Sequence, residues 1–358
     1  MNKQDIIQQF DPSKPGLATA TVFGLPFSAE QSEIIVIPVP WEVTVSYGAG
    51  ASKGPEAILE ASFQVDLMHQ QFPDLWKQGI YLLDAPKHWK KQSKKFKKMA
   101  QPIIAFQEEG GEVSKHADLY KDLKKINQAC ANLHQEVQQL TNEWLAKGKK
   151  VVLLGGEHST PLGYYKAMAE HHENFGILHL DAHMDYRIAY EDFTYSHASI
   201  MYNTLQIPQV TKIVSVGIRD FCEEEIQVVH NHPNRTKIFT DADLKREQMQ
   251  GKTWHQQCEE IIVQLPEKVL ISFDIDGLLP WYCPNTGTPV PGGFTFEQAT
   301  YLFDLLAVSG KQIIGFDLVE VAPGEDDWDG NVGARMLYHM CGVLAKNQEM
   351  AVGTPIKF

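Results

Sequence analysis

Six short runs of mainly apolar, often β-branched residues recur along the chain, and they limit its fold more than any other feature. They are Glu33–Val39, Lys150–Leu154, Gly176–Leu180, Lys212–Val216, Val269–Phe273 and Gln312–Phe316. Strands that read as nearly continuous apolar runs are typical of parallel sheets covered on both faces. Amphipathic stretches separate these runs, which is the pattern of alternating strands and helices. The sequence therefore predicts an α/β fold with a mostly parallel central sheet.

The longest helical pattern runs from about Asp118 to Lys147 and ends at Gly148. Its apolar residues recur at helical spacing and form a core-facing stripe. No linker rich in Pro, Gly or Ser divides the chain, and no internal repeat is present. We therefore expect a single domain over residues 1–358, with an N-terminal extension at about 1–32 and an inserted helical segment at about 85–147.

Composition excludes several classes of protein. A formal net charge of −13 argues against general nucleic-acid binding, which needs a basic face. The five cysteines are scattered and form no zinc or redox motif, which indicates a reducing compartment. The N-terminus lacks the apolar core of a signal peptide, and no apolar run approaches the roughly 20 residues of a membrane helix. We expect a cytoplasmic protein with neither nucleic-acid nor membrane partners.

The stretch Lys87–Lys98 is strongly basic. It could be a binding patch for RNA or acidic lipid, but we favour a solvated helix or loop, which is the usual role of a charge run.

Three polar motifs begin where predicted strands end. They are GGEHS at Gly155–Ser159, DAHMD at Asp181–Asp185 and SFDIDG at Ser272–Gly277. In open parallel sheets, ligands bind in the crevice at the carboxyl ends of the strands. The three motifs are therefore predicted to meet at one sheet edge.

The spacing within the motifs suggests convergent side chains. In extended chain alternate side chains point the same way, so Asp181, His183 and Asp185 share one side, as do Asp274 and Asp276. His158 follows two glycines that permit a tight turn. Two carboxylates about 4 Å apart repel by roughly 4 kcal/mol at an effective dielectric constant of about 20. Four aspartates with two neutral histidines carry four negative charges, which two divalent ions would cancel.

Ligation by oxygen and imidazole without thiolate favours Mn(II), with Fe(II), Co(II) or Ni(II) also possible, over structural zinc. Two such ions can share a water and lower its pKa, so that it attacks as a nucleophile near neutral pH. DAHMD alone could instead satisfy loop amides, but the two other motifs argue against that interpretation.

Together, GGEHS, DAHMD and SFDIDGLLPWYCPNTGTPVPGG resemble the ureohydrolase family, which includes arginase and agmatinase. The resemblance extends from about Ile34 to the C-terminal helix. It implies a three-layer αβα sandwich around a parallel sheet, assembled as a homo-oligomer, usually a trimer or hexamer.

The resemblance also implies the roles of individual residues. One metal would be held by His158, Asp181, Asp185 and Asp274, and the other by Asp181, His183, Asp274 and Asp276. Glu320, in GFDLVEVAP, would hold the substrate guanidinium through parallel hydrogen bonds. His197, in YSHAS, would shuttle protons to the leaving amine, and Asp185 would relay a proton from the attacking water. A structural role is the alternative for both Glu320 and His197, and His179 is expected to be a buried, hydrogen-bonded residue.

Several positions depart from the family pattern. Glu157 replaces an aspartate that is not expected to be a ligand, Leu279–Pro280 replaces an aspartate-proline pair, and Ala198 replaces a glycine. The asparagine and serine by which arginase grips an α-amino acid are absent after DAHMD. Arginine is therefore disfavoured as the substrate.

The loop Trp41–Gly50 follows a strand and is expected to line the pocket. Its aromatic residues Trp41 and Tyr47 could stack on a small cationic ligand, or they could simply pack.

The predicted reaction is hydrolysis of a guanidino C–N bond that releases urea and an amine or ammonia. Agmatine is the first expected substrate, followed by free guanidine and by guanidino acids such as guanidinobutyrate. Two other classes stay open: a deacetylase of the related fold, which would use one zinc ion, and a protein that binds without catalysis. The ligands His158 and Asp276, which exceed an Asp-His-Asp set, argue against the deacetylase.

Overall fold

A single eight-stranded sheet forms the centre of the protein, as seen in a computed structural model that describes residues 1–14, 16 and 21–346. Every neighbouring pair of strands is parallel, and the order across the sheet is β2-β1-β3-β8-β7-β4-β5-β6. The strands are β1 (Ile34–Val39), β2 (Ile80–Leu82), β3 (Lys150–Gly155), β4 (Phe175–Leu180), β5 (Val210–Ile218), β6 (Thr236–Thr240), β7 (Lys268–Asp274) and β8 (Gln312–Val319).

Twelve α-helices are present in the described part of the chain. They are α1 (Lys3–Gln9), α2 (Gly54–Ser62), α3 (Leu75–Gln78), α4 (Lys87–Glu108), α5 (Ala117–Leu145), α6 (Leu162–His171), α7 (Ile200–Leu205), α8 (Glu223–Asn231), α9 (Asp241–Met249), α10 (Trp254–Val263), α11 (Phe296–Val308) and α12 (Trp328–Lys346).

The helices cover both faces of the sheet. Along β1, Ile34 and Val36 join a hydrophobic cluster with residues of α2, α10, α11 and α12, whereas Ile35 and Ile37 join a second cluster with residues of α4, α5 and α6. Successive side chains of a strand point to opposite faces, so one apolar run supplies both clusters. The predicted three-layer αβα sandwich is confirmed.

The two strands that lie at the edges of the sheet were not predicted. β2 has three residues, and only the first of them is buried. β6 (TKIFT) has only two apolar residues, flanked by polar ones, and is mostly half-buried. An edge strand has a neighbour on one side only and is less deeply covered, so it lacks the continuous apolar run that identified the six inner strands.

A helical hairpin, α4 and α5, lies between β2 and β3, where the sequence predicted an inserted segment. The basic stretch Lys87–Lys98 forms the first half of α4. The predicted N-terminal extension contains α1, whose apolar residues pack against the core, while residue 15 and residues 17–20 lie outside the described part. Because one sheet includes all the described strands, we propose that the chain is one domain.

None of the helices in the described ranges is long and apolar enough to span a membrane.

Candidate metal centre

Four adjacent strands in the middle of the sheet carry the polar motifs at their carboxyl ends. β3 leads into GGEHS, β4 leads into DAHMD, β7 ends within SFDIDG, and β8 ends just before Glu320. The sequence order of the motifs differs from their spatial order, in which β8 lies between β3 and β7. The sheet topology therefore gathers residues that are up to 162 positions apart in the chain, such as His158 and Glu320.

The first group of ligands is centred on His158. Its Nδ1 atom lies 3.0 Å from Asp181 Oδ2, 3.0 Å from Asp185 Oδ2 and 3.4 Å from Asp274 Oδ2. All four residues are buried. The structure thus brings together the whole set that was predicted for the first metal.

The second group is centred on His183. Its Nδ1 atom lies 3.0 Å from Asp276 Oδ2 and 3.4 Å from Asp181 Oδ1. Asp181 therefore faces both histidines, one with each carboxylate oxygen, so it belongs to both groups and could contribute to both metal sites. Asp274, the remaining member of the predicted set, accepts a hydrogen bond of 2.9 Å from the backbone N–H of Asp276.

The backbone of DAHMD is not uniformly extended. The alternation argument placed Asp185 on the same side as Asp181 because it assumed a strand-like chain, but Asp185 has φ = 59°. That left-handed conformation is uncommon for a residue with a side chain and marks a constrained site. The carboxylate of Asp185 nevertheless reaches His158, so the predicted grouping is correct although its geometric reason was wrong.

The charges of this buried site are unbalanced without cations. Burial and the neighbouring Asp181 raise the pKa of Asp185 to about 6, and burial together with Asp276 raises the pKa of Asp274 well above its usual value. His158 Nδ1 is buried, and no hydrogen bond of acceptable geometry satisfies it in the described structure. A divalent ion amid these atoms would neutralise the carboxylates and use that nitrogen lone pair, so the donor set fits the predicted metals.

Three buried residues that the sequence analysis did not single out form a hydrogen-bonded group that contacts His158 Nε2 through Ser272. The Asp317 carboxylate accepts hydrogen bonds from the hydroxyls of Ser272 (3.0 Å) and Tyr165 (2.7 Å). The Ser272 oxygen is then free to accept from His158 Nε2, which is 3.0 Å away. A proton on Nε2 leaves the lone pair of Nδ1 facing the ligand group. The sequence did contain a signal for this group. Ser272 and Asp317 are polar residues within the otherwise apolar strands β7 and β8, and the two positions are paired in register.

His179 is buried and hydrogen-bonded, as predicted. Its Nε2 donates to Asp181 Oδ2 over 2.8 Å, and its Nδ1 accepts from the Ser215 hydroxyl over 3.0 Å. Burial alone would raise the pKa of Asp181, but the adjacent His158 ring and the hydrogen bond from His179 hold that pKa well below its usual value. His179 therefore supports the predicted ligand Asp181 through a hydrogen bond.

A recess opens beside both groups of ligands. Its wall contains ligands from the two groups and, in addition, Val45, Ser46, Tyr47, Gly48, His197, Gly287, Thr288 and Glu320. Gly287 and Thr288 belong to the longer segment SFDIDGLLPWYCPNTGTPVPGG but were not singled out from sequence.

The two aromatic residues proposed for the pocket lie in different surroundings. Tyr47 lines the recess and is 86% exposed. Trp41 is fully buried, packs against Phe96 with ring centroids 6.4 Å apart, and is absent from the wall of the recess. The structure thus corrects the suggestion that Trp41 contacts ligand, because the loop turns its indole into the core beneath α4.

Glu320 and His197 both reach the recess. Glu320 accepts a hydrogen bond of 2.7 Å from the backbone N–H of His158, and burial together with the nearby Glu157 raises its pKa well above the usual value. A guanidinium in the recess would remove that electrostatic penalty. His197 Nδ1 lies 3.4 Å from the Thr44 hydroxyl, and burial lowers the pKa of His197 to about 4.

Glu157 points away from the ligand groups, as its predicted non-ligand role requires. Its carboxylate accepts from the backbone N–H groups of Val43 and Thr44 and from the hydroxyls of Thr44 and Ser159. Burial raises the pKa of Glu157 to about 7. The residue therefore connects the loop after β1 with the loop after β3.

Fold and site together define a three-layer α/β protein with a paired site for divalent metal ions at the carboxyl edge of its sheet. The chain belongs to the arginase family, which it matches over residues 32–342. The predicted family is confirmed, and with it the enzyme class, metal-dependent hydrolysis of amidine C–N bonds.

Similar proteins include named ureohydrolases. The N(1)-aminopropylagmatine ureohydrolase of Thermus thermophilus is 28% identical over 314 residues, which cover 88% of this chain and 91% of that protein. The agmatinase of Bacillus anthracis is 27% identical over 304 residues, covering 84% of this chain and 88% of that protein. The crystal structure of agmatine ureohydrolase of Thermoplasma volcanium superposes with a TM-score of 0.68 at 21% identity, covering 97% and 99% of the two chains. That structural likeness supports the fold.

Proposed function

We propose that this protein uses two divalent metal ions to hydrolyse the C–N bond of a guanidino compound, releasing urea and an amine or ammonia. The observation that carries the proposal is the position of Glu320 in the same recess as two overlapping aspartate and histidine groups that lack neutralising charge. The metal pair would supply a water of lowered pKa beside the guanidino carbon.

The chain's own residues then divide the remaining work. Glu320 holds the planar guanidinium through two of its nitrogens, which fixes the carbon for attack. Asp185 takes the proton that the attacking water loses. Asp185 then gives this proton to the leaving nitrogen as the C–N bond breaks. His197, which is neutral at pH 7 because burial lowers its pKa, can take up a proton from solvent and deliver it to the released amine.

Mn(II) is the first metal that we propose, and Ni(II) is the second. Carboxylate oxygens outnumber imidazole nitrogens in both groups, and no thiolate is among them. Oxygen-rich sites suit Mn(II), while imidazole also suits Ni(II).

Agmatine is the first substrate that we propose, with putrescine as its product, and the named relatives support it. Free guanidine is the second, and the wall of the recess supports it. Apart from the metal ligands and Glu320, none of the described residues of that wall is acidic, so the distal ammonium of agmatine would find no carboxylate there.

A urea-release assay separates these candidates. The full chain is loaded with Mn(II) or with Ni(II) and offered agmatine, guanidine, guanidinobutyrate and arginine. We expect release from agmatine or guanidine and none from arginine. If every compound stays intact with both metals bound, the enzymatic proposal is wrong.

Asp274→Asn tests the bridging ligand. We expect metal content and urea release to fall together. The loss should exceed the roughly 10–100-fold loss that is typical when a residue that hydrogen-bonds to a metal ligand is removed. Elemental analysis and the urea assay measure the two quantities. Asp118→Asn, on the exposed start of α5, is the matched control and should resemble the parent. An unchanged metal content in Asp274→Asn would contradict the assignment.

We also propose that the protein is a homo-oligomer, a trimer or a hexamer, as the family resemblance implies. Light scattering after size-exclusion chromatography measures the mass directly, and a monomer would contradict the proposal.

A further inference from the structure

The loop after β1 forms one wall of the recess. We call residues 42–52 the cavity loop, and its middle part, Val45 to Gly48, lines the recess. The backbone N–H of Gly48 also donates to the Gly287 carbonyl over 3.0 Å, which connects the loop with the opposite wall. The position of this loop therefore sets the width of the recess.

A buried carboxylate ties the two ends of the cavity loop together. The Glu42 side chain is only 2% exposed, although it carries a charge. Its Oε2 atom accepts from the backbone N–H of Gly50 over 3.1 Å and from that of Ser52 over 3.0 Å. One side chain at the start of the loop thus holds the backbone at its end.

The charge of Glu42 is balanced from the inserted hairpin. Lys97, on α4, donates to Oε1 of Glu42 and is itself 26% exposed. One turn earlier on the same helix, the Ser93 hydroxyl accepts from the backbone N–H of Glu42 over 3.0 Å. Phe96 packs on Trp41, the residue just before the loop. Three side chains of α4 therefore hold the start of the loop.

Lys97 differs in this respect from other lysines of the basic stretch. Lys90 pairs with Glu56 at the surface, where both side chains are more than half exposed, and Lys94 is exposed. An ion pair with one fully buried partner is screened far less by solvent than a surface pair. If the ammonium is removed, a buried carboxylate is left without its partner, which strongly favours rearrangement of the loop.

We infer that Lys97 is a positioning residue for the substrate recess, acting through Glu42 on the cavity loop. The effect on catalysis rests on the proposed function, whereas the effect on the loop does not. The inference also assigns a role to the inserted hairpin: α4 supports a wall of the recess from behind.

Hydrogen exchange of the full-length, metal-loaded protein tests the effect on the loop. In Lys97→Met we expect the peptide spanning residues 42–52 to exchange about ten-fold faster or more, because the amides of Gly50 and Ser52 lose their fixed acceptor. Lys97→Arg keeps the charge and should restore most of the protection. Lys94→Met, three residues away on α4, is the matched control and should exchange like the parent.

Steady-state kinetics tests the effect on the recess, with whichever guanidino compound the parent hydrolyses. We expect Lys97→Met to raise KM by roughly ten-fold with a much smaller change in kcat, since the lost interaction orders the wall and not the reacting groups. Metal content should equal that of the parent. A merely structural role would lower the melting temperature but leave KM unchanged.

Glu42→Gln keeps an oxygen acceptor for both amides and provides a second variant if Lys97→Met does not fold. It should change exchange and KM in the same direction but by less. Unchanged exchange of the 42–52 peptide in folded Lys97→Met overturns the inference, and so does faster exchange with an unaltered KM. A parent that hydrolyses no guanidino compound would refute the proposed function instead, while exchange would still decide whether Lys97 holds the loop.

Discussion

At the scale of single residues, the two ligand histidines present the same ring nitrogen in different ways. His158 is completely enclosed, and its outer nitrogen is fixed by Ser272 and Asp317. His183 is partly open to solvent, and its outer nitrogen lies 3.9 Å from the exposed Asp220. Groups behind a metal ligand set its tautomer and orientation, so His158 should be the more rigid of the two.

Ser272→Ala should weaken metal binding without removing a ligand. The change deletes the acceptor of the His158 Nε2 proton, so the tautomer with a free Nδ1 lone pair is no longer favoured. We expect affinity for the metal ion that His158 would hold to fall by about 10–100-fold. Competition with a chromogenic chelator measures it, and excess metal should restore most activity.

Ser309→Ala, on the loop after α11, is a matched control for this substitution. Parent-like affinity in Ser272→Ala would mean that Ser272 does not control the tautomer.

At the scale of elements, the long helix α5, which is the second helix of the inserted hairpin, contacts the GGEHS loop. His134 on α5 is buried, and its Nε2 donates to the Ser159 carbonyl over 3.0 Å. The helix packs closely on α6, where a Cβ on Gly163 would approach the His134 carbonyl oxygen to 2.1 Å. Glycine at 163 therefore permits the close approach that lets His134 reach the loop.

His134→Gln should make stability less sensitive to acid. Burial lowers the pKa of His134 to about 3, from an ordinary value of 6.5. Between these two pH values the unfolded chain binds a proton that the folded chain excludes, so this histidine costs stability as pH falls. The contribution of His134 to the change of the free energy of unfolding with pH approaches about 1.4 kcal/mol per pH unit. Glutamine can still donate to Ser159 but does not titrate.

Urea unfolding of parent and variant between pH 7.5 and pH 4.5, roughly the range in which an ordinary histidine titrates, measures this difference. We expect the His134→Gln variant to be less stable than the parent at the upper end and to lose less stability toward the lower end. Parallel curves would show that His134 does not stay neutral in the folded protein.

At the scale of the whole molecule, the metal centre joins strands from the two halves of the sheet. Its ligands come from β3, β4 and β7, and β8 lies among these strands and carries Glu320. An ion bound at the proposed site would therefore hold together parts of the chain that otherwise repel, since the pKa values of Asp185 and Asp274 are raised. Metal binding should consequently stabilise the entire fold.

Chelation should lower the melting temperature by several degrees, and added Mn(II) should restore it. An ion present at about 100 times its Kd stabilises the folded state by about 2.7 kcal/mol. Differential scanning calorimetry of parent and Asp274→Asn measures the effect, which should be much smaller in the variant. An equal shift in both proteins would place the stabilising metal elsewhere.

The inner strands, the long helix and the convergence of the six proposed metal ligands could be predicted from sequence. Strands buried on both faces must be apolar throughout, and a parallel sheet must turn its carboxyl ends to one edge, so local patterns were sufficient. The edge strands β2 and β6 could not be predicted, because their partial exposure removes that pattern.

Only the tertiary structure decided which residues support the ligands. Ser272, Asp317 and Tyr165 look like isolated polar residues until the register of β7 and β8 pairs the first two and the packing of α6 brings Tyr165 to both. Sequence left open whether Trp41 contacts ligand or packs, and it gave no reason to separate Lys97 from the other lysines of a mostly solvated helix. The direction of a side chain depends on which element packs behind it, and that packing arises from contacts between residues far apart in the chain.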